Sequence, residues 1–191
     1  MVLAVPFDAG NTGDISNSIN SSSSTKTFTT TGTLSSNASN QFYGSSTDFN
    51  GSSYLGTSSS SSDFTFGTGD FTIEYWASYD DISAGNSQVG DFQSSTTQGG
   101  IINNYTGGVR NSFGPAGSLN FGVSSGTGGT ITNIAAGTWY HIAFVRESGT
   151  VRLYKDGVLQ DTTTNTNNVD ATYMAIGGYY SGSYLRNGQL Q

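Results

Sequence analysis

The chain of 191 residues has no cysteine, two prolines, one histidine and six basic residues. Lacking cysteine, it has no disulfide framework, no thiolate-bound zinc and no thiol redox chemistry. A chain of this length buries roughly 70% of its unfolded surface, enough for a core without such staples. Charged residues are 10% of the chain, against about 25% in an ordinary soluble domain. The bases Lys26, Arg110, Arg146, Arg152, Lys155 and Arg186 are scattered among 13 acids, for a net charge of −7. No positive stripe tracks a phosphate backbone, so nucleic acid is not an expected partner. No apolar run approaches the roughly 20 residues of a membrane-spanning helix, and a membrane is not expected either. The apolar start Met1-Val2-Leu3-Ala4-Val5 has no basic flank and meets Pro6 at once, unlike a secretory signal. With Met1 as the native start, the expectation is synthesis in a cytoplasm and release by lysis or signal-independent export.

What the chain does have is hydroxyls, glycine and aromatic rings: 30 Ser, 25 Thr, 27 Gly and 13% Phe, Trp and Tyr. Low charge alone fits disorder, but this many aromatics can bury a core. The mixture favours short strands and many turns. Phe71, Ile73, Tyr75 and Ala77 alternate with Thr72, Glu74, Trp76 and Ser78, a strand with one core face and one largely polar face. Weaker strands are expected at Val2–Phe7, Phe42–Phe49, Ser53–Gly56, Gly100–Asn103, Leu119–Val123, Tyr173–Gly177 and Tyr184–Leu190. Trp139–Arg146, Val151–Lys155 and Val158–Asp161 read as a meander, its second turn being Asp156-Gly157, the strongest two-residue hairpin signal. Ten or more short strands in one chain imply an all-β, two-sheet antiparallel sandwich.

Three stretches carry a family resemblance. Asp48-Phe49-Asn50-Gly51-Ser52-Ser53-Tyr54-Leu55, then Phe66-Gly67-Thr68-Gly69-Asp70-Phe71-Thr72-Ile73-Glu74-Tyr75-Trp76, then Gly137 to Arg146 through Leu153-Tyr154-Lys155-Asp156-Gly157 resemble the laminin-G-like, concanavalin A-like jelly roll. Pro6-Phe7-Asp8 and Ile176-Gly177-Gly178 resemble it too, so the likeness covers nearly all of residues 1–191 as one domain. The resemblance implies two curved antiparallel sheets. It also implies a long last strand beside the first one, of which Asn187-Gly188-Gln189-Leu190-Gln191 reaches only the opening. The expectation is a missing or incomplete final strand: either the sequence is cut short here, or an open sheet edge is completed by a downstream segment, a neighbouring subunit or another virion or surface protein in a larger assembly.

Related hydrolases place a carboxylate pair about 5 Å apart across the glycosidic bond. Glu74 has Thr72 and Trp76 as its neighbours on the same face, so no second carboxylate stands two residues away, and no catalysis is expected. His141, the single histidine, shares a face with Trp139, Ala143 and Val145, the setting of a packed, hydrogen-bonded ring. Asp80, Asp81 and Asp91 bracket Ile82–Gly90 and offer hard oxygen ligands for calcium; a solvated acidic turn is the alternative. Trp76, Tyr79, Asn104 and Tyr105 supply the ring faces and amides of a sugar platform, or else the core and rim of a tyrosine-rich sandwich. The acceptor sequons at Asn20, Asn37, Asn50 and Asn104 arise by chance in so hydroxyl-rich a chain.

Two functions follow as expectations. The first is a noncatalytic virion protein, a bacteriophage capsid knob, decoration or fibre domain displayed outward and touching cell-surface glycans. The second is a glycan-binding module of a large exported bacterial adhesin or carbohydrate-active enzyme at the cell surface or outside the cell. A glycoside hydrolase or lyase is the weakest reading, for want of the carboxylate pair.

Overall fold

The computed structural model describes residues 3–8, 11–39, 42–82, 90–93, 108–113, 117–124, 126–178 and 187–191. In chain order the strands are β1 (Phe28–Thr31), β2 (Leu34–Asn37), β3 (Ser46–Asn50), β4 (Tyr54–Thr57), β5 (Phe71–Tyr79), β6 (Gly90–Gln93) and β7 (Val109–Phe113). They continue with β8 (Leu119–Val123), β9 (Gly126–Ile131), β10 (Trp139–Glu147), β11 (Thr150–Lys155), β12 (Val158–Thr164), β13 (Tyr173–Ile176) and β14 (Asn187–Leu190). One helical turn, α1 (Ser16–Ile19), precedes them. No helix among the described residues is long and apolar enough to cross a membrane.

Turn chemistry drives the meander. Asp156 and Gly157 both take positive φ, 51° and 77°, the geometry that matches strand twist in a two-residue hairpin. Ser148 and Gly149 do the same at 48° and 73°. The result is β10–β11–β12 in antiparallel register, as expected from the sequence. β5 adds to the other flank of β10, pairing Phe71–Ser78 with Trp139–Arg146.

Two seven-stranded sheets result, in the orders β1-β4-β13-β6-β7-β8-β9 and β12-β11-β10-β5-β14-β3-β2. Between them lies the core, with Phe49, Leu55, Phe64, Tyr79, Leu119, Ile142, Phe144 and Leu153 buried. The all-β sandwich is thus as expected. Gly177 makes one close approach possible: at φ 85° it lies against the Phe49 ring, leaving no room for a Cβ.

One local expectation fails. Residues 3–7 form no ladder; the segment is tied sideways, with Ile15 N–H donating to Ala4 C=O at 2.8 Å and Ala4 N–H donating to Asp14 Oδ1 at 3.2 Å. Pro6 removes a donor there, and Phe7 turns to φ 52° to put its ring on Phe49, 6.0 Å between centroids. β14 is an inner strand, bonded to β3 through Asn187–Leu190 and to β5 through Gly188–Leu190. β1 and β2 were not read as strands because Thr and Ser runs resemble loops. The strand expected at Gly100–Asn103 lies outside the described residues.

Candidate functional site

β5 alternates as a sheet residue must. Phe71, Ile73, Tyr75, Ala77 and Tyr79 point to the core, while Thr72, Glu74, Trp76 and Ser78 point out of the second sheet. Register then sets their neighbours: Trp76 stands opposite His141 and Ser78 opposite Trp139. The Trp76 and His141 rings are 5.3 Å apart at 46°. On the far side, Phe42 meets Trp76 edge-on, 4.9 Å between centroids at 86°, and Tyr43 follows Phe42 at 6.1 Å. Phe42 is 56% exposed and Tyr43 66%. Two large rings left in water beside a third are unusual for scattered surface residues and mark a contact surface.

A long-range tether holds this loop. Gln191 accepts a hydrogen bond from Phe42 N–H at 2.8 Å and donates its amide to Ser45 C=O at 2.7 Å. Trp139 Nε1 donates to Ser39 Oγ at 3.1 Å. Polar groups border the rings. Glu74 is largely exposed, and its Oε2 lies 3.6 Å from His141 Nε2, an ion pair only when the histidine is protonated. Further along the face the buried Gln189 amide donates to Asp48 Oδ1 at 2.8 Å and Asp80 Oδ2 at 3.1 Å. The arrangement can stack apolar ring faces and hydrogen-bond hydroxyls. For acid–base chemistry it offers one exposed carboxylate beside one imidazole.

A buried cation props the entry to β5. Arg146 donates through Nε to Gly69 C=O at 2.8 Å, through Nη1 to Asn167 C=O at 2.8 Å and through Nη2 to Gly67 C=O at 2.7 Å. Its guanidinium lies 4.7 Å from the Phe71 ring centre. Burial lowers its pKa, opposed by the nearby Asp70 carboxylate. At the chain's other anchor, Asp14 takes N–H bonds from Ser16 and Lys26 at 2.8 and 2.7 Å besides that from Ala4. Burial pushes its pKa up, but these backbone donors outweigh that and hold it below the usual Asp value.

Of the residues singled out from the sequence, Trp76 is on this face. Tyr79 is not: three positions along a strand changes sides, and its ring is fully buried in the core. Asn104 and Tyr105 lie outside the described residues. His141, read as a packed, hydrogen-bonded ring, lies on the outer face as a part-exposed ring packed against Trp76. Asp80 and Asp81 follow β5 in the second sheet, whereas Asp91 sits within β6 of the first, so the two halves of the acidic set belong to different sheets. Among the described residues no three acidic or histidine side chains gather to hold a metal. Residues 83–89 of the bracketed loop lie outside the description. Phe42 and Tyr43 were missed as site residues. Their signal was adjacent rings within a Ser, Asn, Gln and Gly tract.

The family model for the concanavalin A-like lectin/glucanases superfamily, of laminin G type, matches residues 49–191. The chain belongs to that superfamily. No curated protein matches it in sequence. Among solved structures it is similar to domain 4 of AbnA, an extracellular arabinanase from Geobacillus stearothermophilus, in complex with arabinotriose. That match has 17% identity and a TM-score of 0.58 over 86% of this chain and 79% of the other. It is also similar to mouse laminin alpha1 domains LG4-5, with 14% identity and a TM-score of 0.55 over 75% of this chain and 38% of that one. The receptor binding domain of botulinum neurotoxin type G matches with 11% identity and a TM-score of 0.62, over 99% of this chain and 47% of that one. The superfamily chain thus spans less than half of the laminin and neurotoxin chains. At these identities the likeness is one of fold.

Proposed function

We propose that this superfamily member is a noncatalytic glycan-binding module. The observation that carries the reading is the exposed pair Phe42 and Tyr43 beside Trp76 and His141 on the outer face of the second sheet. Such rings stack on the apolar face of a pyranose or furanose, and Glu74 and the surrounding amides accept or donate to its hydroxyls. The arabinotriose complex of the similar arabinanase domain supports the reading. Glu74 acts as a hydroxyl acceptor, not as half of a hydrolytic pair, since its own face offers Thr72 and Trp76 on either side. The setting we propose is outward display, on a virion or on an exported bacterial surface protein. The sequence alone supports the virion setting, and copurification with particles in symmetric copies tests it.

Titration calorimetry against a panel of oligosaccharides that includes arabinotriose tests binding. Phe42→Ala and Trp76→Ala are expected to weaken the interaction roughly tenfold each, about 1.4 kcal/mol, with melting temperature held. Affinity unchanged in both variants, or no binding across the panel, overturns the reading. Release of reducing ends that Glu74→Gln abolishes would make the protein an enzyme.

A further inference from the structure

The outer face of the second sheet continues past His141 to the sheet edge. Ala143 stands opposite Glu74 on one flank and opposite Tyr154 on the other, and Tyr154 stands opposite Leu159 in β12. Residues opposite one another in an antiparallel ladder share a face, so Glu74, Ala143, Tyr154 and Leu159 form one outward row. Tyr154 is the diagonal neighbour of His141, a separation of about 7–8 Å that an aromatic side chain spans. Ala143 is only 7% exposed although it faces outward, so larger side chains close over it and the row is continuous at β10.

Two local features keep this row apolar. Asp156 meets His141 at the turn, but its Oδ1 accepts the His141 N–H at 2.9 Å, which holds the carboxylate to the backbone and away from the ring faces. The β11–β12 ladder also shifts by one residue between Leu153 and Tyr154. Leu153 is paired with Asp161, so regular pairing would set Gln160 opposite Tyr154; the bulge sets Leu159 there instead. Gln160 donates its amide to Val158 C=O at 3.2 Å, and Leu159 is left 50% exposed. An apolar side chain re-aimed onto the outer face by a bulge, in line with exposed rings, extends the contact surface.

The row sets the length of the ligand. Tyr43, Phe42, Trp76 and His141 follow one another at ring separations of 6.1, 4.9 and 5.3 Å, each step close to the advance of one sugar along an extended chain. From β10 to β12 is two further strand spacings, about 10 Å. A trisaccharide laid on Phe42, Trp76 and His141 therefore leaves Tyr154 and Leu159 bare. Resting on the glycan reading of this face, we propose that the ligand is a linear polysaccharide bound along an internal stretch and lying across β5, β10, β11 and β12, with Tyr154 and Leu159 as a far subsite for its further sugars. Glu74 then lies beside the middle of the chain, between Trp76 and Tyr154, and accepts from a ring hydroxyl. Because β12 is the edge strand and Leu159 stands half in water, the chain continues past it, and no chain end is needed for recognition.

Titration calorimetry with the trimer and the hexamer of linear arabinan, xylan, cellulose and chitin tests the proposal. In a series that binds, the hexamer is expected to bind at least tenfold more tightly than the trimer. Tyr154→Ala and Leu159→Ser are expected to remove most of that gain and to leave trimer affinity unchanged. Leu159 is exposed, so its variant keeps the parent melting temperature and carries the test even where the Tyr154 variant folds poorly. Phe42→Ala weakens trimer and hexamer alike. Methylating the terminal sugars at both ends of the hexamer leaves its affinity within twofold. The proposal is overturned if trimer and hexamer bind equally, if Leu159→Ser retains the whole gain, or if blocking the ends abolishes binding. Trimer binding that Phe42→Ala weakens, with no gain for the hexamer, overturns this inference and leaves the glycan reading standing; no binding in any series overturns both. A dimer in sedimentation that Leu159→Ser dissociates also overturns it, by making a second copy the cover of this row.

Discussion

Replacing Arg146 by Met tests whether one buried cation holds the entry to β5. The residue is 1% exposed and its guanidinium serves three carbonyls. Methionine keeps the apolar contact with the Phe71 ring but donates nothing. Gly67 C=O retains one partner, because Val169 N–H donates to it at 2.9 Å, so the carbonyls of Gly69 and Asn167 bear most of the loss. A buried group deprived of its partner costs about 1–3 kcal/mol, and release from desolvating a cation offsets part of that. The net expectation is about 3 kcal/mol, or a melting temperature about 6–12 °C lower for a chain of this size. Thermal and urea unfolding at neutral pH, followed by circular dichroism, measure it. Arg146→Lys keeps the charge but not the fork, and falls between the parent and the Met variant. A Met variant that melts within about 2 °C of the parent, with the same urea dependence, refutes the reasoning.

Three other outcomes are expected. Asp14 and Asp63 both have pKa values held below the ordinary 3.8, Asp14 by backbone donors against its burial and Asp63 first by the Lys26 ammonium 2.6 Å away. A depressed folded-state pKa stabilises above the ordinary value and is lost as pH falls through the lower one. Unfolding temperature should therefore drop below pH 4, less steeply in Asp14→Asn, with Asp63 contributing little because it is 39% exposed. Asp14→Asn itself should cost about 1–3 kcal/mol at pH 7, measured by urea unfolding, since three backbone donors lose their carboxylate. Gly177→Ala should destabilise strongly or prevent folding, because its Cβ meets the buried Phe49 ring in a positive-φ position; expression with a parent-like melting curve would contradict that.

The parts of the fold that sequence made legible are those written in local pattern. The β5 alternation and the Asp156-Gly157 turn each need only their own residues, and both stand where they were expected. The aromatic face was half legible for the same reason. Period two puts Trp76 outward, and it equally puts Tyr79 inward, so the pairing of those two rings as one platform was a misapplied rule rather than a missing signal. What was illegible depends on distance along the chain. Phe42 is held over Trp76 by a bond to Gln191, 149 residues away, and no window of sequence contains both ends. β14, expected only as a weak strand within Tyr184–Leu190, has one buried aliphatic side chain, Leu190, and nothing local says that it lies inside the sheet. It is an inner strand because its polar members are satisfied across the sheet: Gln189 spends its amide on Asp48 and Asp80, which belong to the strand on one flank and to the residue after the strand on the other. A glutamine with two carboxylates to serve fixes register much as a core leucine does. An exposed aromatic loop therefore has to be sought through the polar residue that tethers it, since the rings carry no local sign of where they will lie.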